Sequence, residues 1–165
     1  MDIINNTSMK FTKIKSNNFD IQSNRHIKYI IIHYTGMKNQ KLAIKRLQSK
    51  VAKVSSHYVI SKKGIIFQMV KDEDIAWHAG KSRWNKDINL NSKSIGIELV
   101  NNGHEKFPKK QIEKLCLLIK YLKNKHKINK KYVLGHSHIA PDRKTDPGAL
   151  FPWSFLAKKG ISNLY

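Results

Sequence analysis

The sequence has very few thiols and no long apolar segment. Cys116 is the single cysteine among 165 residues, which excludes an intramolecular disulfide framework and any zinc site built from several cysteines. A metal ion in this protein would therefore be held by histidine and carboxylate side chains. No apolar run is long enough to span a bilayer, and residues 1–15 lack the apolar core of a signal peptide. We therefore expect a cytoplasmic protein, with the periplasm or export by a non-standard route as the alternative.

Acidic residues are also scarce. The 11 Asp and Glu residues stand against 32 Lys and Arg residues, so the formal net charge is +21 at pH 7. This charge is compatible with nucleic-acid binding, with attraction to an anionic wall or membrane polymer, or with a general enrichment in lysine. The basic residues are spread along the chain, and no nucleic-acid-binding motif is present. We therefore expect no nucleic-acid partner and no membrane insertion, whereas an acidic glycopeptide is a compatible ligand.

The length and the order of the segments predict one α/β domain. A chain of 165 residues is long enough to bury a hydrophobic core. Residues 1–27 are polar and aperiodic, and we predict that they form an N-terminal extension packed on a domain of residues 28–165. Strand-like and helix-like segments alternate within that domain, without an internal repeat or a linker, which indicates the α/β class. We expect a monomer.

Two apolar stretches are typical of buried β-strands. Residues 29–34 read YIIIHY, a continuous apolar run that suits a strand buried on both faces, with His33 near its carboxyl end. Open α/β sheets place their ligands at that end. Residues 55–60 and 65–70 flank a segment with a glycine and predict a β-hairpin. Within it, His57 is predicted to be a structural histidine held by a backbone hydrogen bond.

A further strand is predicted at residues 94–100, SIGIELV. Its apolar side chains point to one face, and its small or polar ones to the other, namely Ser94, Gly96 and Glu98. A glutamate in such a strand is costly to bury unless it pairs with a cation or takes part in chemistry. An ion pair with one of the many lysines is the structural alternative. The small neighbours favour open space above the sheet, where a substrate could lie.

Three segments predict helices. The first covers residues 41–51 and has a modest apolar stripe, formed by Leu42, Ile44, Leu47 and Val51. The second begins after Pro108, runs to about Lys125 and carries Cys116 in its apolar stripe as a small core residue. The third is a short closing helix over residues 151–157.

Two loops concentrate chemically active side chains. Residues 135–148, GHSHIAPDRKTDPG, follow a short predicted strand, and two prolines should hold them extended and turned. Because alternate side chains of an extended run point the same way, Lys144 and Asp146 should face one side together, either at a metal site or as a surface ion pair. In the second loop, residues 76–85, Trp77 is as consistent with a place in the hydrophobic core as with a place in a binding site. Trp84, among polar neighbours, is the better candidate for the wall of a groove.

Five short motifs occur along the chain between about Ser16 and Gly160: IIIHYTGM, VSSHYVI, AWHAG, SIGIE and GHxxIAPDRKTDPG. Their order and spacing resemble those of the amidase-2 family of N-acetylmuramoyl-L-alanine amidases, which includes peptidoglycan recognition proteins. Any one motif alone would be weak, but five in order over nearly the whole chain are specific. The resemblance implies a single α/β domain with a central mixed β-sheet flanked by α-helices.

The resemblance also implies a catalytic centre. His33, His136 and Asp146 would bind one zinc ion, Glu98 would act as the general base, and Lys144 would stabilise the developing oxyanion. The bond cut would be the amide between the lactyl group of N-acetylmuramic acid and L-alanine of a muropeptide or peptidoglycan stem peptide. The resemblance also places His78 in the substrate groove, and we predict that Tyr34, Trp77 and Trp84 contact the substrate with it.

One position departs from the family pattern. The family usually reads G-H-x-D in the last motif, but His138 stands here in place of the aspartate. A carboxylate that orients a metal ligand is therefore missing, or it is supplied by Asp142. His138 could itself bind the metal only if the loop turned it and His136 inward together.

The sequence leaves three functions open. The first is an amidase that acts on muropeptides or anhydro-muropeptides in cell-wall turnover or recycling. The second is a wall-lytic or phage-type amidase that acts on polymeric peptidoglycan. The third is a non-catalytic peptidoglycan-binding module; such modules lack part of the metal set, whereas this chain retains all three ligands, Glu98 and Lys144.

Overall fold

The computed structural model describes residues 9–165. The elements follow in chain order, strands first: β1 (Thr12–Lys13), β2 (Phe19–Asp20), β3 (Tyr29–Tyr34), β4 (Tyr58–Ile60), β5 (Ile66–Gln68), β6 (Ile75–Ala76), β7 (Arg83–Trp84), β8 (Asp87–Ile88), β9 (Ser94–Leu99) and β10 (Val133–Gly135). The α-helices are α1 (Gln40–Gln48), α2 (Lys109–His126), α3 (His136–Ile139) and α4 (Trp153–Lys158), and 3₁₀ turns cover Leu90–Lys93 and Lys130–Tyr132.

Six strands form a mixed central sheet in the order β1-β5-β4-β9-β3-β10. In the described part of the chain, only the predicted hairpin, β4 with β5, pairs antiparallel in this sheet, while β4, β9, β3 and β10 run parallel. The carboxyl ends of these four strands therefore meet at one edge. The α/β class and the mixed sheet predicted from the sequence are confirmed.

The two faces of the sheet are covered differently. Ile30 and Ile32 of β3, with the alternate apolar residues of β9, face α2 and α4 and build the main core. Ile31 belongs instead to a smaller cluster on the opposite face, with Leu90 and Leu134. This alternation is the one that the sequence predicts for β9, and it turns Glu98 away from the main core. The face without the long helix is therefore the one that can carry a site.

Helix α2 begins and ends within one residue of its prediction, and Cys116 is buried in its apolar stripe. Helix α1 differs from its prediction, because it ends at Gln48 and buries Ala43 and Leu47 only. Val51 lies beyond the helix end and is 91% exposed. Of the rest of the predicted stripe, Leu47 is buried and Ile44 is partly buried, while Leu42 is 57% exposed.

Residues 9–27 form part of the sheet structure. Strand β1 pairs with β5 at one edge of the central sheet, and β2 pairs with β6. Ser16 is fully buried, and its hydroxyl donates to the Leu47 carbonyl over 2.6 Å. The Asn18 amide donates to the carbonyls of Ser49 and Val54, each over 2.8 Å, and so fastens the connection after α1. The division at residue 27 stays a prediction, and residues 1–8 of the predicted extension lie outside the described residues.

Within residues 9–165, no helix has both the length and the apolar character needed to cross a bilayer. The cytoplasmic location, the monomeric state and the absence of a nucleic-acid partner stay predictions.

His57 is a buried structural histidine, as predicted. The Gly96 N–H donates to its Nδ1 over 3.0 Å, and its Nε2 lies 3.1 Å from the Asp74 carbonyl. A carbonyl only accepts, so the neutral ring carries its proton on Nε2. Burial, helped by the positive charge of Arg25, lowers the pKa of His57 to about 3.

The shifted pKa of His57 predicts an acid-labile fold. The unfolded chain binds a proton at this residue below its ordinary pKa of about 6.5, whereas the folded protein binds it only near pH 3. Stability is therefore lost as pH falls from about 6.5 toward 3, with about 2 kcal/mol lost between pH 7 and pH 5 through this residue. Urea unfolding of the metal-free protein at the two pH values measures the loss.

His57→Asn is the matched variant, because its amide oxygen can still accept from Gly96 N–H. The variant is expected to be less stable at pH 7 but to lose about 2 kcal/mol less than the parent between pH 7 and pH 5. Equal losses in the two proteins would contradict the assignment.

Candidate metal centre

Three buried side chains converge at the carboxyl edge of the sheet. The Nδ1 atoms of His33 and His136 are 3.0 Å apart, and the Asp146 Oδ2 lies 2.9 Å from the first and 3.2 Å from the second. All three residues are buried and form a group that can hold a metal ion. The structure thus brings together the three residues that the family resemblance implies as ligands.

The parallel sheet explains why two distant histidines meet. His33 lies near the end of β3, and His136 follows β10 directly. Gly135 pairs with Ile32 in the register of these neighbouring strands, so the two histidines leave the sheet side by side. The loop that follows returns to the same place, because Ser137 N–H donates to the Asp146 carbonyl over 2.8 Å.

The loop after β10 is not extended at its start, contrary to the prediction. Residues 136–139 form the single turn of α3, and turns follow to residue 148. His138 explains the turn, because its Nδ1 accepts from the Gly135 N–H over 2.9 Å and caps the amino end of α3. Lys144 and Asp146 nevertheless line the same cavity.

His138 does not belong to the metal group. Its ring packs against Trp153 and Tyr165, with ring centroids 5.1 and 4.6 Å away. Asp142 is exposed and lines a separate groove, so it does not supply the orienting carboxylate considered above. The His136 Nε2 instead lies 3.1 Å from the Ala79 carbonyl. Since a carbonyl only accepts, this bond leaves the His136 Nδ1 lone pair free for a cation.

A cavity of about 380 Å³ opens above the three side chains. Its walls combine aromatic, cationic and small residues, among them Tyr34, Trp77, Arg46, Arg143, Lys144 and Thr145. Burial lowers the pKa of His33 to about 4, so its imidazole is neutral at pH 7, as a metal ligand must be.

Glu98 lies beside His33 in the register of β9 and β3 and also lines the cavity. Its Oε2 is buried and has no hydrogen-bond partner among residues 9–165. Burial and the nearby charge of Asp146 raise the pKa of Glu98 well above its ordinary value, although Lys144 and Arg46 act in the opposite direction. An unpartnered buried carboxylate is costly. A carboxylate with a raised pKa at the base of a cavity is suited to accept and return a proton.

The four predicted substrate-contacting residues separate into two groups. Tyr34, Trp77 and His78 line the cavity, but His78 is 8% exposed and lies behind His33. Trp84 does not line it, because the short β7–β8 pair places this ring against Tyr165, with centroids 6.3 Å apart.

The open space predicted above Gly96 is filled. A Cβ at this position would lie 2.5 Å from the His78 Cγ, so the imidazole occupies the volume that was expected for a substrate.

Two cationic residues of the cavity were missed by the sequence interpretation. Arg46 lies on the exposed side of α1, where nothing in the local pattern marks it. Arg143 lies within the recognised loop motif, and its guanidinium donates to the carbonyls of Ala79 and Lys81. The motif was therefore a usable signal for Arg143 but not for Arg46.

Residues 23–149 match the family described as N-acetylmuramoyl-L-alanine amidase. The chain is 40% identical over 151 residues to N-acetylmuramoyl-L-alanine amidase AmiD of Escherichia coli, which covers 82% of this chain and 54% of AmiD. It is 32% identical over 160 residues to 1,6-anhydro-N-acetylmuramyl-L-alanine amidase AmpD of Haemophilus influenzae, which covers 86% of this chain and 87% of AmpD. The chain thus spans about half the length of AmiD and most of the length of AmpD.

Solved structures resemble the fold closely. AmiD from E. coli in complex with the substrate anhydro-N-acetylmuramic acid-L-Ala-D-γ-Glu-L-Lys gives a TM-score of 0.78 at 38% identity, covering 83% of this chain and 58% of that one. AmpDh3 from Pseudomonas aeruginosa in complex with anhydromuramic pentapeptide gives 0.77 at 31% identity, covering 98% and 68%.

The close approach of His78 to β9 predicts the effect of a single methyl group. Gly96→Ala is expected to destabilise the protein by about 1–3 kcal/mol, because the new Cβ overlaps the imidazole. Thermal or urea unfolding measures the change. In the His78→Ala background the same substitution should cost much less, since the overlapping ring is gone. An equal cost in both backgrounds would exclude the contact as the cause.

Proposed function

Because the chain belongs to the N-acetylmuramoyl-L-alanine amidase family, we propose that it is a zinc-dependent amidase. It would hydrolyse the amide between N-acetylmuramic acid and the L-alanine of a stem peptide. The observation that carries the proposal is one buried group of two imidazoles and a carboxylate, with the unpartnered Glu98 beside it in one cavity.

His33, His136 and Asp146 are the residues that would hold the ion. Donor atoms about 2 Å from one tetrahedral zinc ion are about 3.3 Å apart, and two nitrogens with a carboxylate oxygen are ligands that zinc prefers. The observed separations of 2.9–3.2 Å fit this requirement. When bound, zinc would act as a Lewis acid and lower the pKa of water near it.

The protein's own groups then have separate tasks. Glu98 would take a proton from the attacking water and pass it to the nitrogen of the leaving L-alanine. Lys144 would place its positive charge where the carbonyl oxygen becomes negative. Tyr34 and Trp77 would hold the sugar and the peptide against the cavity wall, which restricts water and orients the amide.

We infer that anhydro-muropeptides are the substrates. Two similar proteins, AmiD and AmpDh3, were solved with an anhydro-N-acetylmuramyl peptide and an anhydromuramic pentapeptide. Polymeric peptidoglycan is the alternative substrate. Incubation with an anhydro-muropeptide and with intact sacculi side by side, followed by mass spectrometry of the products, distinguishes the two. Release of peptide from sacculi alone would overturn the inference, and release from neither would support a non-catalytic binding module.

Glu98→Gln tests the general base. The substitution keeps the shape of the side chain but removes its ability to accept the proton, so turnover is expected to fall by at least about 100-fold. The zinc content of the purified protein should stay at the parental value. Glu105→Gln is the control, because Glu105 pairs with Lys62 away from the cavity. Parental turnover by Glu98→Gln would show that another group carries the proton.

Asp146→Ala tests the metal group. At a zinc concentration 100 times the dissociation constant, the ion adds about 2.7 kcal/mol to the free energy of unfolding. The variant should lose most of this gain, because one of three ligands is removed. Urea unfolding in the presence of zinc and in the presence of a chelator measures the zinc-dependent gain in the free energy of unfolding. Asp142→Ala, an exposed aspartate of the same loop, should retain the full gain. A zinc-dependent gain that survives in Asp146→Ala would exclude Asp146 as a ligand.

A further inference from the structure

A chain of hydrogen bonds extends from His33 into the protein. The His33 Nε2 lies 3.0 Å from the His78 Nδ1, and the His78 Nε2 lies 3.1 Å from the Ser94 hydroxyl. The same hydroxyl lies 2.6 Å from the Leu90 carbonyl, where the chain ends. All four residues are buried. None of the reaction steps described above uses His78 or Ser94.

The Leu90 carbonyl at the end of this series of hydrogen bonds fixes the direction in which each bond donates. A carbonyl can only accept, so the single hydroxyl proton of Ser94 is donated to Leu90. Ser94 must then accept from His78, which carries its proton on Nε2 and presents a lone pair on Nδ1. The ring of His78 is buried and its two hydrogen-bond partners, His33 and Ser94, carry no negative charge, so the neutral form is favoured. His33 therefore donates through Nε2, and its Nδ1 lone pair faces Asp146.

We propose that His78 and Ser94 are positioning residues that hold His33 in the tautomer that can bind a metal ion. The proposal deepens the proposed function, since it rests on His33 being a metal ligand. His78 thereby acquires a role different from the substrate contact that the family resemblance implies.

The opposite tautomer of His78 shows which arrangement the series of hydrogen bonds prevents. If His78 carried its proton on Nδ1, it would donate to the His33 Nε2 and move the His33 proton to Nδ1. That proton would point at the Asp146 Oδ2, 2.9 Å away, and would form a good hydrogen bond there. A proton in that place occupies the lone pair that a cation needs. The Ser94 acceptor disfavours this arrangement because it engages the proton on the other nitrogen of His78.

The backbone around His78 supports both candidate histidine ligands. Asn91 accepts from the backbone N–H groups of His78 and Ala79, over 3.1 and 2.7 Å. The same short segment therefore supplies the ring behind His33 and the carbonyl that orients His136. Gly96 leaves the space in which the ring of His78 lies.

Ser94→Ala is the first test, and it is read without substrate. Loss of the direct outer partner of a metal-bound histidine lowers metal affinity by about 10- to 100-fold, and because Ser94 acts one bond farther out, through His78, a loss of roughly tenfold is expected. Competition with a chromophoric chelator should therefore give zinc binding that is weaker by that factor. Nitrogen-15 spectra of the imidazoles in the metal-free protein should show His33 with its proton on Nε2 in the parent, and a mixture of tautomers in Ser94→Ala.

Ser16→Ala is the matched control. Ser16 is as fully buried as Ser94, and its hydroxyl also donates to a carbonyl over 2.6 Å, but it lies outside the hydrogen-bonded chain. It should bind zinc like the parent. A second pair of variants separates bonding from packing: His78→Asn keeps an acceptor near the Nδ1 position, whereas His78→Leu has none. His78→Asn should bind zinc more tightly than His78→Leu.

Several outcomes overturn the proposal. For Ser94→Ala, these outcomes are a zinc affinity within twofold of the parent and unchanged nitrogen-15 signals of His33. For Ser16→Ala, the outcome is a loss of zinc affinity equal to that of Ser94→Ala. For the second pair, it is an equal zinc affinity of His78→Asn and His78→Leu. Failure of the proposed function is distinguishable from these, because a parent that binds no zinc still reports the tautomer of His33 in its nitrogen-15 spectrum.

Discussion

Parallel pairing of β9, β3 and β10 is the constraint on which the site depends. Because these strands run the same way, their carboxyl ends meet, and residues from three distant parts of the chain enter one small volume. His33 and Glu98 are direct neighbours across β3 and β9, and His136 follows β10 next to them. A shift of one residue in either pairing would turn one of these side chains into the opposite, helix-covered face.

The two faces of the sheet therefore have separate tasks. The long helix α2 and the apolar rows of β3 and β9 bury most of the hydrophobic surface on one face. The opposite face holds a layer of buried histidines, a composition that is costly unless every ring is neutral and hydrogen-bonded. His57 and His136 each have a main-chain carbonyl as a partner, that of Asp74 and that of Ala79. His78 instead bonds the Ser94 hydroxyl, which donates to the Leu90 carbonyl. Because a carbonyl cannot donate, the backbone fixes the protonated nitrogen of His57 and His136 directly, and that of His78 through Ser94.

The strong positive charge acts at the cavity through a few residues only. Burial raises the pKa of Glu98, and Lys144 and Arg46 partly offset this effect. The remaining lysines lie mostly on the surface, where solvent screens them. Burial favours the protonated form of Glu98, and the two cations favour its charged form. A carboxylate under these opposing effects can change its protonation state at modest cost, which general acid–base chemistry requires. The local arrangement of three side chains therefore matters more to the proposed chemistry than the total of +21.

The sequence by itself determined the fold class, the strands β3 and β9 and helix α2, because periodicity is a local signal. Its family-wide motifs also pointed to the three residues that converge in a group able to hold a metal ion. It did not reveal β1 and β2, whose two-residue pairings leave no periodic pattern, or the true burial of α1. Only the tertiary structure decided that Trp84 lies against Tyr165, that His138 caps a helix and that His78 lies behind His33. Each of these depends on contacts between residues distant in sequence or on the exact path of a loop, and such contacts form only when the sheet brings the segments together.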